Sequence, residues 1–147
     1  MEYPVTALFT QPYCAVAPVS SGGNVKKGFG YFPCTVEVTG QALSITEGDG
    51  GRLDHAPATS VEIITPGWQR RIGAGSIISM NGKHWSVDFG MAYPREGGRA
   101  ANRGFFRTLF GGSSMRKSLG RARELNRSFT DALLAAGASD TRASAAR

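Results

Sequence analysis

The apolar pattern of this chain changes period once. In "PCTVEVTGQALSIT", Cys34, Val36 and Val38 alternate with Thr35, Glu37 and Thr39. After Thr39-Gly40-Gln41 the alternation resumes with Leu43 and Ile45. A repeat of two marks strands with one buried face, and the break between the runs makes a hairpin. Much later, Met115, Leu119, Ala122, Leu125, Phe129, Leu133 and Ala136 step by three or four. That is an apolar stripe along one helix. A chain that switches from two to about 3.6 near its C-terminus is constrained to a sheet that ends in one covering helix.

The remaining strands follow from their turns. "GSIISMNGKHWSVDFG" holds Asn81-Gly82 between two β-prone runs, and Asn-Gly tolerates the positive φ of a type I′ hairpin turn. On the return strand Trp85, Val87 and Phe89 are expected in the core, and His84, Ser86 and Asp88 toward solvent. Val5 to Phe9 and Tyr13 to Val19 read as two short strands separated by Pro12, with SSGGN at Ser20 to Asn24 as a loop. GDGG at Gly48 to Gly51 is expected to end the first hairpin. "ATSVEIIT" supplies a further strand that Pro66-Gly67 breaks. The helix is expected over about 114–136, with Ser113 or Ser114 at its first turn and Gly137 at its end. Residues 1–137 then form a single domain, and 138–147, small and polar, a disordered tail.

Composition narrows the function classes. The chain has 147 residues and a formal net charge of +6. Residues 1–94 carry six Lys and Arg against seven acids, net −1, whereas residues 95–147 carry eleven against four, net +7. The excess positive charge is therefore C-terminal, which points to an anionic partner or to a solvated helix face. Zinc takes about four ligands at recognisable spacing, and Cys14 and Cys34, without a CxxC or a nearby His pair, do not make such a set. Whether the two cysteines pair stays open. No metal site and no cofactor are expected. No apolar run approaches the roughly 20 residues of a membrane span, and no signal peptide is evident; a cytoplasmic location, with peripheral contact at a membrane as an option, is the expectation.

Short antiparallel strands, five to seven in number, followed by one amphipathic helix resemble the bacterial pleckstrin-homology-like (PH-like) and GRAM-like domains. The residues that carry the resemblance are "GYFPCTVEVTGQALSIT", "ATSVEIIT", "IISMNGKHWSVDF" and the terminal helix, roughly Val25 to Gly137. The resemblance implies a PH-like curved antiparallel sheet or small barrel capped by the helix. It also implies a non-catalytic scaffold that binds phosphoinositides, peptides or proteins. Fold alone does not choose among these. The basic loop at Lys26-Lys27 holds only two charges, a weak lipid site.

Two segments carry candidate chemistry. "HxSxD" places His84, Ser86 and Asp88 on one strand, but neighbours two apart lie about 6–7 Å from each other, beyond the reach a nucleophile and base need. Catalysis is not expected. "RGFFRTLFGGSSMRKSLGRAR" is the second. Phe105, Phe106, Leu109 and Phe110 either pack on the sheet or form a hydrophobic docking patch. Arg103, Arg107, Arg116, Lys117 and Arg121, with Arg123 and Arg127 beyond them, are candidates to face an anion. The functional expectation is an interaction module for a protein partner or an anionic surface such as lipid. The alternative is an Arg-rich nucleic-acid-associated protein.

Overall fold

The structure, a computed structural model, describes residues 7–20, 30–48, 51–90 and 113–141, and in the terminal helix the side chains from Leu119 onward. It is mainly β: one eight-stranded sheet curls into an open half-barrel and one long C-terminal helix packs on it. In chain order the elements are β1 (Ala7–Pro18), β2 (Phe32–Thr39), β3 (Ala42–Glu47), β4 (Arg52–Pro57), β5 (Glu62–Ile63), α1 (Gly67–Ile72), β6 (Gly75–Met80), β7 (Lys83–Asp88), α2 (Ser113–Ala135) and β8 (Ser139–Asp140). The spatial order is β4-β3-β2-β1-β7-β6-β5-β8. All pairs are antiparallel except β5 with β8.

Both expected hairpins are present. Thr39 closes the first, its Oγ1 accepting from the backbone N–H of Gln41 and Ala42 at 3.2 and 3.0 Å. Asn81 (φ 53) and Gly82 (φ 73) make the second. The helix covers Ser113–Ala135, within a residue of the expectation. Gly137 (φ 111) ends it: its N–H donates to the Leu134 carbonyl and the Ala138 N–H to that of Leu133, the two bonds of a Schellman turn.

Four local expectations are corrected. Pro12 does not divide two strands. β1 is continuous, and its register shifts between Gln11↔Val36 and Cys14↔Cys34, three residues on β1 against two on β2. The extra residue is a β-bulge, a place where proline's missing N–H is tolerated. It also preserves the buried face, since without it Cys14 and Val16 would point the other way. GDGG ends the first hairpin as expected, but the next strand is β4 and not the one read in "ATSVEIIT"; its residues RLDHAP show little alternation of apolar side chains. "ATS" is a 3₁₀ turn instead of a strand start, and β5 keeps only Glu62–Ile63. The ordered chain runs past Gly137: Ala138 is buried and Ser139–Asp140 pair with β5, so the expected tail does not begin at 138. Residues 142–147 lie outside the described ones.

The inner face carries the core. Phe9, Val16, Val36, Val38, Leu43, Ile45, Ile78, Trp85 and Val87 are buried there with Ala122, Phe129 and Leu133 of α2. The other face of β7 corrects the sequence expectation. Ser86 and Asp88 are 1% and 6% exposed, beside fully buried Ala15, Ala17 and Ile77. Small alanines and a serine look like a solvated face in sequence, yet here they permit close cover. Tyr31 is one source of that cover, its hydroxyl 3.0 Å from Ser86 Oγ. Burial, partly offset by the Ser86 bond, raises the Tyr31 phenol above its ordinary value, and the Asp88 charge adds to the shift.

Phe129 is 0% exposed, with its ring 5.5 Å from Phe9 and 5.6 Å from Phe89. Truncating Phe129 to Ala removes the ring that packs α2 against β1 and the end of β7 in the middle of the sheet, so it should cost about 3–5 kcal/mol. Leu125→Ala, at a half-buried position, should cost less. Urea melts of the two variants against the parent check both values.

Candidate functional site: an arginine-lined cleft

Helix α1 is too short to show a period in the sequence. It forms because Pro66, in extended conformation, presents its carbonyl to the N–H groups of Gln69 and Arg70 at 3.1 and 3.0 Å. Gly73 (φ 73) then terminates it. The turn between β5 and β6 thereby delivers Arg70 and Arg71 beside α2 and β8.

Arg70 is held in place. Its Nε donates to the Thr65 carbonyl at 2.7 Å, and its two terminal nitrogens reach Asp140 at 3.1 and 2.7 Å. This is a bidentate guanidinium–carboxylate fork, the strong geometry for such a pair. It is also mostly shielded, with the side chains 22% and 15% exposed. Asp140 is positioned by β8: the Ser139 N–H donates to the Val61 carbonyl and Thr141 Oγ1 to that of Ile63.

Arg123 joins the two helices, donating from Nε to the Ile72 carbonyl at 2.8 Å. Arg127 lies one turn further along α2, and residues four apart share a helix face. Between β6 and α2, Ser76 Oγ donates to Asn126 Oδ1 at 2.6 Å. Together these residues line a cleft of about 390 Å³. Four arginines (70, 71, 123 and 127) border it, against the single carboxylate of Asp140. Among the described residues Arg70–Asp140 is the only ion pair, so Arg71, Arg123 and Arg127 have no carboxylate partner there. Concentrated positive charge in a concavity raises the local anion concentration.

Of the sequence candidates, Arg121 is exposed on α2 and does not line the cleft. Arg116 and Lys117 fall in the first turns of α2, where side chains are not described; Arg103, Arg107, Phe105, Phe106 and Phe110 lie outside the described residues. Arg123 and Arg127 of the wider cationic set do converge. Sequence reasoning missed Arg70, Arg71 and Asp140, although "QRR" after Pro66-Gly67 stands out in a half of the chain with net negative charge.

Other polar groups are engaged. Buried Asp54 accepts from Trp85 Nε1 at 2.8 Å and from Asn81 Nδ2 at 2.7 Å, tying β4 to the β6–β7 hairpin. His55 Nδ1 meets Ser44 Oγ at 2.7 Å. The Ser86 hydroxyl is taken by Tyr31. Among the described residues no group of three His, Cys, Asp or Glu is placed to hold a metal ion, and no helix is long and apolar enough to cross a membrane. Cys14 and Cys34 face each other across β1 and β2 as free, buried thiols. Burial pushes both up to about 12, with Cys34 adding to Cys14 and Glu47 to Cys34.

A search of protein-family models, curated proteins and solved structures finds no match to this chain.

The thiols make a pH prediction. With folded values near 12 against an ordinary 9.0, they stay protonated in the folded state while the unfolded chain loses those protons above pH 9. Their contribution is therefore complete below pH 9 and is lost as pH rises from 9 toward 12. Urea melts at pH 8, 10 and 11 should show falling stability, with a shallower fall in Cys14→Ala/Cys34→Ala. Iodoacetamide at pH 8 should label the native thiols only once denaturant is added.

Proposed function

We propose that this chain is a non-catalytic interaction module of pleckstrin-homology-like type, and that the cleft between α1 and α2 takes an anionic group presented by a protein partner. The observation that carries this reading is the convergence of Arg71, Arg123 and Arg127, which make no ion pair with another described residue, on one concavity beside the Arg70–Asp140 pair. Guanidinium groups fit carboxylate and phosphate oxygens through paired N–H donors. The strand order β4-β3-β2-β1-β7-β6-β5, closed by a C-terminal helix, supports the family resemblance. The absence of catalysis in this reading is supported by the bonds that Ser86 makes with Tyr31 and Asp54 with Trp85 and Asn81. The reading places the module in the cytoplasm, in accord with two free thiols at opposed positions. An anionic lipid surface and nucleic acid would compete for the same charges and are separable by experiment.

The test is retention on immobilised polyglutamate and on heparin at low salt. The parent should bind polyglutamate, and Arg123→Glu/Arg127→Glu should weaken it at least about tenfold, since each reversal replaces an attraction with a repulsion within a Debye length of about 8 Å. Arg121→Glu, outside the cleft, should change it less than about twofold. Equal loss from Arg121→Glu would show that diffuse helix charge acts instead of the cleft. A parent protein retained on neither matrix would end the anion reading.

A further inference from the structure

The arginine cleft adjoins exposed apolar side chains. Leu134, 44% exposed, lines it. Trp68, 58% exposed, lies on α1 three and four residues before Arg71 and Ile72, and side chains at those spacings share a helix face. Ile72 also lines the cleft. With Leu8, Trp68 and Leu134 complete the large hydrophobic side chains that stand exposed among the described residues. Leu134 thus lies in the cationic cleft, and Trp68 stands on the helix that forms one of its walls.

The chain supplies its own example of what lies in such a place. Residues 138–141 leave α2 in extended form along β5, bury Ala138, and set the Asp140 carboxylate on Arg70 as a bidentate pair. Thr141 adds a hydroxyl bond to the Ile63 carbonyl. This is an extended segment that combines an apolar anchor, a carboxylate for an arginine, and backbone pairing at the sheet edge. It satisfies Arg70 and leaves Arg71, Arg123 and Arg127 for a second occupant.

We infer that the cleft binds an extended acidic segment of a protein partner, one with carboxylates two residues apart and large apolar side chains close by. The inference rests on the anion-binding reading above and names its partner class. Arg123 and Arg127, four apart on a helix, have Cβ atoms about 5–6 Å from each other. Alternate side chains of an extended strand are spaced at about 6.6 Å, so two such carboxylates reach the two guanidiniums together. Leu134 follows Arg127 by seven residues, about 10 Å along the helix axis, a distance that two to three extended residues cover. A flat membrane surface does not enter a concavity set between two helices, and a bare phosphate makes no use of Leu134.

Four probes test this at low salt by calorimetry: a blocked Glu-Ser-Glu-Ser-Leu-Phe peptide, the same peptide with both apolar residues replaced by Ser, heparin, and phosphatidylserine vesicles. The first peptide should bind at least about tenfold more tightly than the second, in line with burial of two apolar side chains. Trp68→Ala/Leu134→Ser should erase that advantage and leave the all-Ser peptide unchanged. Melting curves check that this variant, altered only at exposed positions, stays folded. Arg123→Glu/Arg127→Glu should weaken both peptides. Equal affinity for the two peptides, or retention of the advantage in Trp68→Ala/Leu134→Ser, would overturn the inference and leave the anion reading standing. So would tight binding of heparin or vesicles with neither peptide bound. Binding of none of the four would overturn both.

Discussion

The seam between α2 and the inner face of the sheet is the contact on which the remainder depends. An open half-barrel has an apolar interior with nothing opposite it, and a sheet so exposed would not be stable in water. Phe129 enters that interior and meets Phe9 of β1 and Phe89 beyond β7, while those two rings meet each other edge-to-face at 5.8 Å. Three rings, one from the helix and two from the same end of the β1–β7 pair, thus fix the angle at which α2 lies. Ala122 on the same stripe lets the helix approach closely. Every feature of the cleft follows from that placement, because Arg123, Asn126, Arg127 and Leu134 occupy the neighbouring face of the same helix.

Side-chain parity was the legible part of the fold. Where alternation was clean, as in Cys34 to Val38 and Trp85 to Phe89, the inward residues and both hairpins follow from the sequence. Where a strand held few apolar residues, it was not readable. β4 contributes Asp54 and Ala56 to the inner face, and a carboxylate at an inward position argues against a strand until its three donors (Trp85, Asn81 and the His55 N–H) are known. The outward face of β7 failed for the opposite reason. Ser86 and Asp88 look solvated by residue type, and only the small neighbours Ala15 and Ala17 across the register hinted at cover. Buried polar groups with specific partners are invisible to a hydrophobic pattern.

The candidate site was less legible than the fold, because it is assembled from segments far apart in sequence. Arg70 and Asp140 are seventy residues apart and meet through three-dimensional pairing of β5 with β8. The sequence located the excess charge in residues 95–147, the C-terminal helix among them, and Arg123 and Arg127 do line the cleft. It could not show that a six-residue helix after Pro66 would bring two further arginines from a half of the chain with net negative charge.

The position of the cleft has a topological cause. β5 is only two residues long and carries β8 on its outer edge, so the sheet provides little cover at that end. The chain compensates with α1, whose C-terminal carbonyl at Ile72 is bonded by Arg123 from α2. A carbonyl at a helix C-terminus attracts a cation, which accounts for one arginine here without any ligand. The same is true of Arg70, which Asp140 neutralises. The fold thus neutralises Arg70 and holds Arg123 through its Nε, in a bond that does not use the terminal nitrogens of Arg123. Arg71 and Arg127, both exposed, make no side-chain hydrogen bond or ion pair with another described residue. Four guanidiniums and the exposed side chain of Leu134 thus meet around one concavity, with Asp140 the one carboxylate in its lining.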